Sequence, residues 1–157
     1  MQSQGTCTVL IPSELVDSVR DGLRSQLAVA AQHIISADEQ ANAGEHPERY
    51  RDALRYMDAL RALLEKIGWS APTSDRRVDL QAHGLALIEA LEDQVDVHAD
   101  MLRDIAEDDE RRVAMARKVA ALTSLALTVL LKVQAQILRE GCSSMCERGL
   151  WCSAQSM

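Results

Sequence analysis

The chain has 157 residues, 47% hydrophobic and 26% charged, which fits one domain able to bury a core and excludes compositional disorder. A formal net charge of -7 and a pI near 5.0 give a surface that repels phosphate backbones and anionic lipid, so nucleic-acid binding is not expected. Phe is absent and aromatics are only 3%, so the core must be aliphatic, and with seven Gly and three Pro the elements should be few and long.

Residues 1–12 are read as an extended N-terminal segment, with a short β-branched strand at 6–11. They lack the basic n-region and the long apolar run of a secretory signal, which makes the cytoplasm the expected compartment and leaves cysteines reduced. Pro12 ends the strand, and Ser13 is placed to cap a helix that begins at Glu14 and continues to about Ala41. Val16, Val19, Leu23, Leu27, Ala30 and Ile34 recur on one stripe of that helix. Residues 43–47 break it, and Pro47 suits the first position of a second helix whose inner face is Tyr50, Ala53, Met57, Leu60, Leu64 and Ile67. Gly68 is the expected cap of this second, shortest helix, and Thr73 or Ser74 the expected cap of the third.

The third helix should run to about Asp108 with two opposed faces. Ile88, Leu91, Val95, His98, Leu102 and Ile105 alternate three and four residues apart, so they share one stripe. Glu89, Asp93, Asp96, Asp100, Asp104 and Glu107 fall about half a turn away. The first stripe calls for a partner helix and the second for water, cations or arginine. A change of phase in the apolar pattern near Asp108 favours a break rather than one bent rod, and a fourth helix is expected over 110–140, stopping at Gly141.

Helix four carries two apolar ridges. Val113, Ala116, Val119, Ala120, Leu127, Leu130 and Leu138 mark one, expected to pack inside the domain, with the helix at the centre of the bundle. Leu122, Leu125, Val129 and Val133 form the other, expected to bury itself against a second copy of the chain. The apolar stretch from Val119 to Leu131 ends at Lys132, short of the ~20 residues that a membrane span requires, so a span is not expected.

Local motifs for chemistry are missing. The residues three before His33, His46, His83 and His98 are Ala30, Ala43, Leu80 and Val95, so the Glu-x-x-His pairs of a di-iron bundle are absent, as is the paired-His helix of a zinc protease. There is no nucleophile elbow, phosphate loop or dinucleotide fingerprint. No catalytic residue, metal ligand set or cofactor is assigned. His98 sits within the apolar stripe, where a hydrogen-bonded core imidazole is the plain reading, and Gln81 with Met101 completes a possible small ligand pocket around it. Cys142, Cys146 and Cys152 match no standard zinc spacing, and residues 141–157 are read as a loose tail.

Two resemblances bear on the fold. Thr8-Val9-Leu10-Ile11-Pro12-Ser13-Glu14-Leu15 resembles the start of a ribbon-helix-helix DNA-binding protein. The chain continues helically past Gly22, however, and its strand has no Lys or Arg, so that likeness is set aside. Glu48-Arg49-Tyr50-Arg51 and Leu60-Arg61-Ala62-Leu63-Leu64-Glu65-Lys66-Ile67-Gly68-Trp69, with Pro12-Ser13-Glu14-Leu15, resemble small helical proteins of uncharacterised actinobacterial families. This implies an all-α fold and no activity.

The sequence therefore predicts an antiparallel four-helix bundle over 13–140 that acts as an interaction or accessory protein, homo-oligomeric or bound to a protein partner. A ligand- or metal-binding regulator using the interior near His98 is the second reading. An enzyme that leaves no local motif is the third.

Overall fold

The first element described is the expected strand. The computed structural model describes residues 7–42, 44, 47–69 and 73–147, and for 40–42 and 142–147 the backbone alone. β1 (Thr8–Ile11) turns Val9 and Ile11 inward and Leu10 outward, as a strand of period two must. Its partner is β2 (Arg76–Asp79), antiparallel, with Val9 opposite Val78 and Ile11 opposite Arg76. The sequence reading had no second strand and began the third helix at Thr73 or Ser74. Instead Asp79 is the N-cap, its Oδ1 accepting from the Gln81 N–H at 2.9 Å. Burial of Val78 against Val9 selects strand over helix for this short segment.

Among the described residues there are four helices, α1 (Ser13–Asn42) and α2 (Pro47–Ile67) between the strands, and α3 (Leu80–Asp104) and α4 (Arg111–Glu147) after β2. The fold is all-α, a helical bundle with one small two-stranded ribbon at its edge. α1 begins one residue earlier than expected, and Asp75 Oδ1 receives the Ser13 N–H at 2.8 Å. α2 ends where Gly68 takes φ +91°, the left-handed conformation that glycine adopts without cost, and its N–H returns to the Leu64 carbonyl at 2.9 Å. The Arg20 guanidinium, buried on α1, donates to the Gly68 carbonyl at 2.7 Å, and Arg24 donates to the Trp69 carbonyl. Two cations thus satisfy the carbonyls that follow the end of α2, which is also the negative end of its dipole.

α3 and α4 are separate helices, as the phase change suggests. The Arg112 guanidinium donates to the Ile105 carbonyl at 2.8 Å and to the Leu102 carbonyl at 3.4 Å, clamping the turn between them. α4 does not stop at Gly141. That residue has no neighbour to accommodate and its backbone continues as helix to Glu147, six residues past the expected end. Cys142 and Cys146 stand on this last stretch with side chains outside the description, and Trp151 and Cys152 lie outside the described residues.

The centre of the bundle is α3, not α4 as expected. α3 packs against α1, α2 and α4, whereas the extensive contact of α4 is with α3. Two glycines mark the closest approaches. A Cβ on Gly22 would stand 2.3 Å from the Ala90 carbonyl oxygen, and one on Gly84 would stand 2.8 Å from Val133 Cγ2. α1 and α4 therefore each press close to α3 over a residue with no side chain. The core so formed is aliphatic, with Val16, Val19, Leu23, Leu60, Leu63, Leu64, Leu87, Leu91 and Leu122 closed to solvent.

Candidate interaction surface

α4 is the element with an unmet requirement. Its 37 residues are well stocked with Leu, Val, Ala and Ile, and only one face of a helix can meet a single neighbour. That face is Leu122, Leu125, Val129 and Val133, the ridge expected at an interface between copies. Leu122 and Val129 are fully buried, Leu125 is 8% exposed and Val133 is half-buried against Gly84. They fill the α3–α4 contact. The ridge offered for the interior lies outside, with Val113 58%, Leu127 54%, Leu130 37% and Leu138 68% exposed. The ridge expected outside is the buried one, and the ridge expected inside is exposed. Both satisfy helical spacing, and Gly84 gives the buried one room for a close approach at Val133.

The exposed face extends beyond that ridge. Leu131 and Ile137 also stand in solvent. A groove of about 310 Å³ between α3 and α4 has Ile88, Val95, Ala126 and Leu130 as apolar lining and Glu92 and Asp96 as acidic lining. On the opposite flank Lys132 Nζ donates to the Thr8 carbonyl at 2.8 Å, which ties α4 to β1. By length and composition, Arg111–Gly141 is a helix that could cross a membrane, and little of it is buried.

The pocket proposed around His98 is not assembled. His98 is buried, and its Nδ1 lies 2.8 Å from the Gln94 carbonyl oxygen one turn earlier. A carbonyl only accepts, so Nδ1 carries the hydrogen, and the imidazole is anchored to its own helix. Gln81 is exposed about 25 Å away along the axis, at a rise of ~1.5 Å per residue. It lines a different groove with Leu85, Val133, Gln136 and Ile137. Met101 is 50% exposed. At that separation Gln81 and His98 do not line one cavity.

The acidic stripe divides in two. Toward the N-terminus of α3, Glu89 accepts the Tyr56 hydroxyl proton, with Gln26 Oε1 3.0 Å from the same oxygen, while Asp93 receives Ser25 Oγ at 3.2 Å and Gln26 Nε2 at 3.4 Å. Burial, then the Glu89 carboxylate, push the Tyr56 phenol well above its ordinary range. Toward the C-terminus, Asp96, Asp100 and Asp104 are exposed, and Glu107 falls beyond the end of the helix. Among the described residues no three His, Cys, Asp or Glu side chains converge as metal ligands. A cleft of about 410 Å³ between α1 and α2, lined by His33, Arg49, Asp52 and Tyr56, carries mixed charge at the surface. Sequence reading missed the Tyr56–Gln26–Glu89 cluster, because Tyr56 stands beside the stripe read as the inner face of the second helix.

Comparison of the chain with protein-family models, curated proteins and solved structures finds no match.

Proposed function

We propose that this chain is a non-catalytic helical interaction protein that self-associates through the outward face of α4. The observation that supports this is the exposure of Val113, Leu127, Leu131 and Leu138 along one side of a helix whose other side already fills the core. Burying a large aliphatic side chain is worth about 1.5–3 kcal/mol, so a row of them in water leaves a substantial driving force unused. A twofold contact buries the same row from both sides and closes on itself.

Sedimentation of the parent chain and of a Leu127→Glu/Leu131→Glu variant tests the reading. The expected result is a dimeric parent and a helical, folded monomer for the variant, since both residues are more than half exposed. A monomeric parent across the micromolar range overturns it. A variant that loses its helical circular dichroism would show instead that this face serves the fold.

A further inference from the structure

We infer that the second copy lies antiparallel, with the first half of one α4 against the second half of the other; this rests on the self-association proposed above. The outward stripe runs Val113, Ala116, Ala120, Ser124, Leu127, Leu131, Gln134 and Leu138, all exposed and uncharged, with exposed Arg117 at its margin. Its residues are three or four apart, so they stay on one line of a straight helix. Up to Ser124 they are small or short, and from Leu127 onward they are long.

This gradient makes the stripe its own counter-shape. A parallel, in-register pair would set Leu on Leu at one end and Ala on Ala at the other, splaying the first and leaving the second hollow. Facing helices pack best when large side chains meet small ones at a constant separation of about 8–10 Å. The antiparallel arrangement does this for the leucines of the stripe. Ala120 faces Leu131 of the second copy, Ser124 faces its Leu127, and Val113 faces its Leu138. A helix of 26 residues is about 39 Å long, and pairing over it is of the order of the ~800 Å² per partner found in standard stable interfaces.

The same surface suits other occupants less well. Apart from Arg117 at its margin the stripe has no charge, so it offers a foreign partner little electrostatic complementarity. A bilayer that took in Leu127 and Leu130 would also take in Glu92 and Asp96, which line the same groove, and carboxylates are costly in hydrocarbon. Lys132, the cation nearest Leu131 in the chain, is turned away toward the Thr8 carbonyl.

The test uses the full chain with Cys7, Cys142, Cys146 and Cys152 each changed to Ser, carrying either Ala120→Cys or Leu131→Cys. Both positions are exposed, so the fold should survive, and circular dichroism with sedimentation verifies this first. Oxidation of the two co-expressed chains is expected to give a covalent dimer, and oxidation of either chain alone to give none. In the antiparallel pair, identical positions lie about 16 Å apart along the axis, and a disulfide needs Cα atoms within ~7 Å. Covalent dimers from each single variant would mean parallel helices, overturning the inference while self-association stands. A dimer in sedimentation that no combination cross-links also overturns the pairing. A monomeric parent overturns both. Nitroxide labels at position 120 give an independent reading, since a separation below ~10 Å is a parallel pair and excludes the proposal.

Discussion

Gly22 and Gly141 are both helical glycines, and they should respond to alanine in opposite directions. At Gly22 the added methyl would stand 2.3 Å from the Ala90 carbonyl oxygen, a backbone atom that cannot move without shifting α3. Gly22→Ala is expected to cost ~2–4 kcal/mol in urea unfolding, in the range of overpacked core positions. At Gly141 nothing lies within 4 Å, so alanine there should stabilise by ~0.5–1 kcal/mol through helix propensity alone. Equal effects at the two sites would mean that the α1–α3 contact is looser than described. The Tyr56 phenol makes a second residue-scale prediction. Its folded pKa is raised, first by burial and then by Glu89, above the unfolded value of ~10. The neutral phenol therefore contributes stability that is complete below about pH 10 and is lost as pH rises toward the folded value. Tyr56→Phe should flatten the alkaline fall of the unfolding midpoint between about pH 9 and 11. A slope unchanged by the substitution would remove the cluster from the account. Neither feature was legible in the sequence. A helical glycine looks the same whether it faces water or a carbonyl, and a phenol's partners come from two other helices.

Helix positions were legible at the scale of elements because they depend on local signals. Pro47 opens α2, Gly68 closes it, and the phase change before Arg111 separates α3 from α4. β2 was not legible, since Arg76–Asp79 becomes a strand only by pairing with a segment far away in the chain. The two ridges of α4 were seen but assigned the wrong way round, because periodicity identifies faces and not neighbours. The assignment now predicts contrasting mutants. Leu122→Ala should cost ~2–5 kcal/mol by opening a cavity against α3, whereas Leu131→Ala should leave stability within ~0.5 kcal/mol for a protein held as monomer. Urea titration of both in the Leu127→Glu background decides it, and a large loss from Leu131→Ala would return that ridge to the core. The start of α4 adds an acid-side prediction. Asp109 accepts the Arg111 N–H at 2.9 Å and pairs with its guanidinium, which lowers the carboxyl pKa to about 2. A carboxyl depressed in the folded state contributes stability above its unfolded pKa, ~3.9, and loses that contribution as pH falls toward 2. Amides of the first turn of α4 should therefore lose protection across that interval, and Asp109→Asn should make them insensitive to it.

Over the whole molecule, charge and packing are distributed alike. α4 has six basic and two acidic residues, while the 110 residues before it have ten basic and twenty-two acidic. A basic helix thus lies on an acidic body, attached mainly through α3, through Lys132 on β1 and through Arg112 on the end of α3. α1, α2 and α3 all pack on one another, and α4 lacks that mutual enclosure. Local opening free energy follows the apolar contact that an element must break, so α4 is the element expected to open first. This separates the roles of its two faces in a single measurement. In the monomeric Leu127→Glu/Leu131→Glu variant, amides of α4 beyond Ala120 should exchange with solvent faster than those of α3 by ~10-fold or more, as a difference of ~1.4 kcal/mol in opening requires. If the parent self-associates as proposed, mass action should slow the same amides as concentration rises, leaving those of α1 and α2 unchanged. Protection equal across all four helices in the variant would mean that α4 opens only with the body. Protection of α4 independent of concentration in the parent would remove the second copy from its outer face.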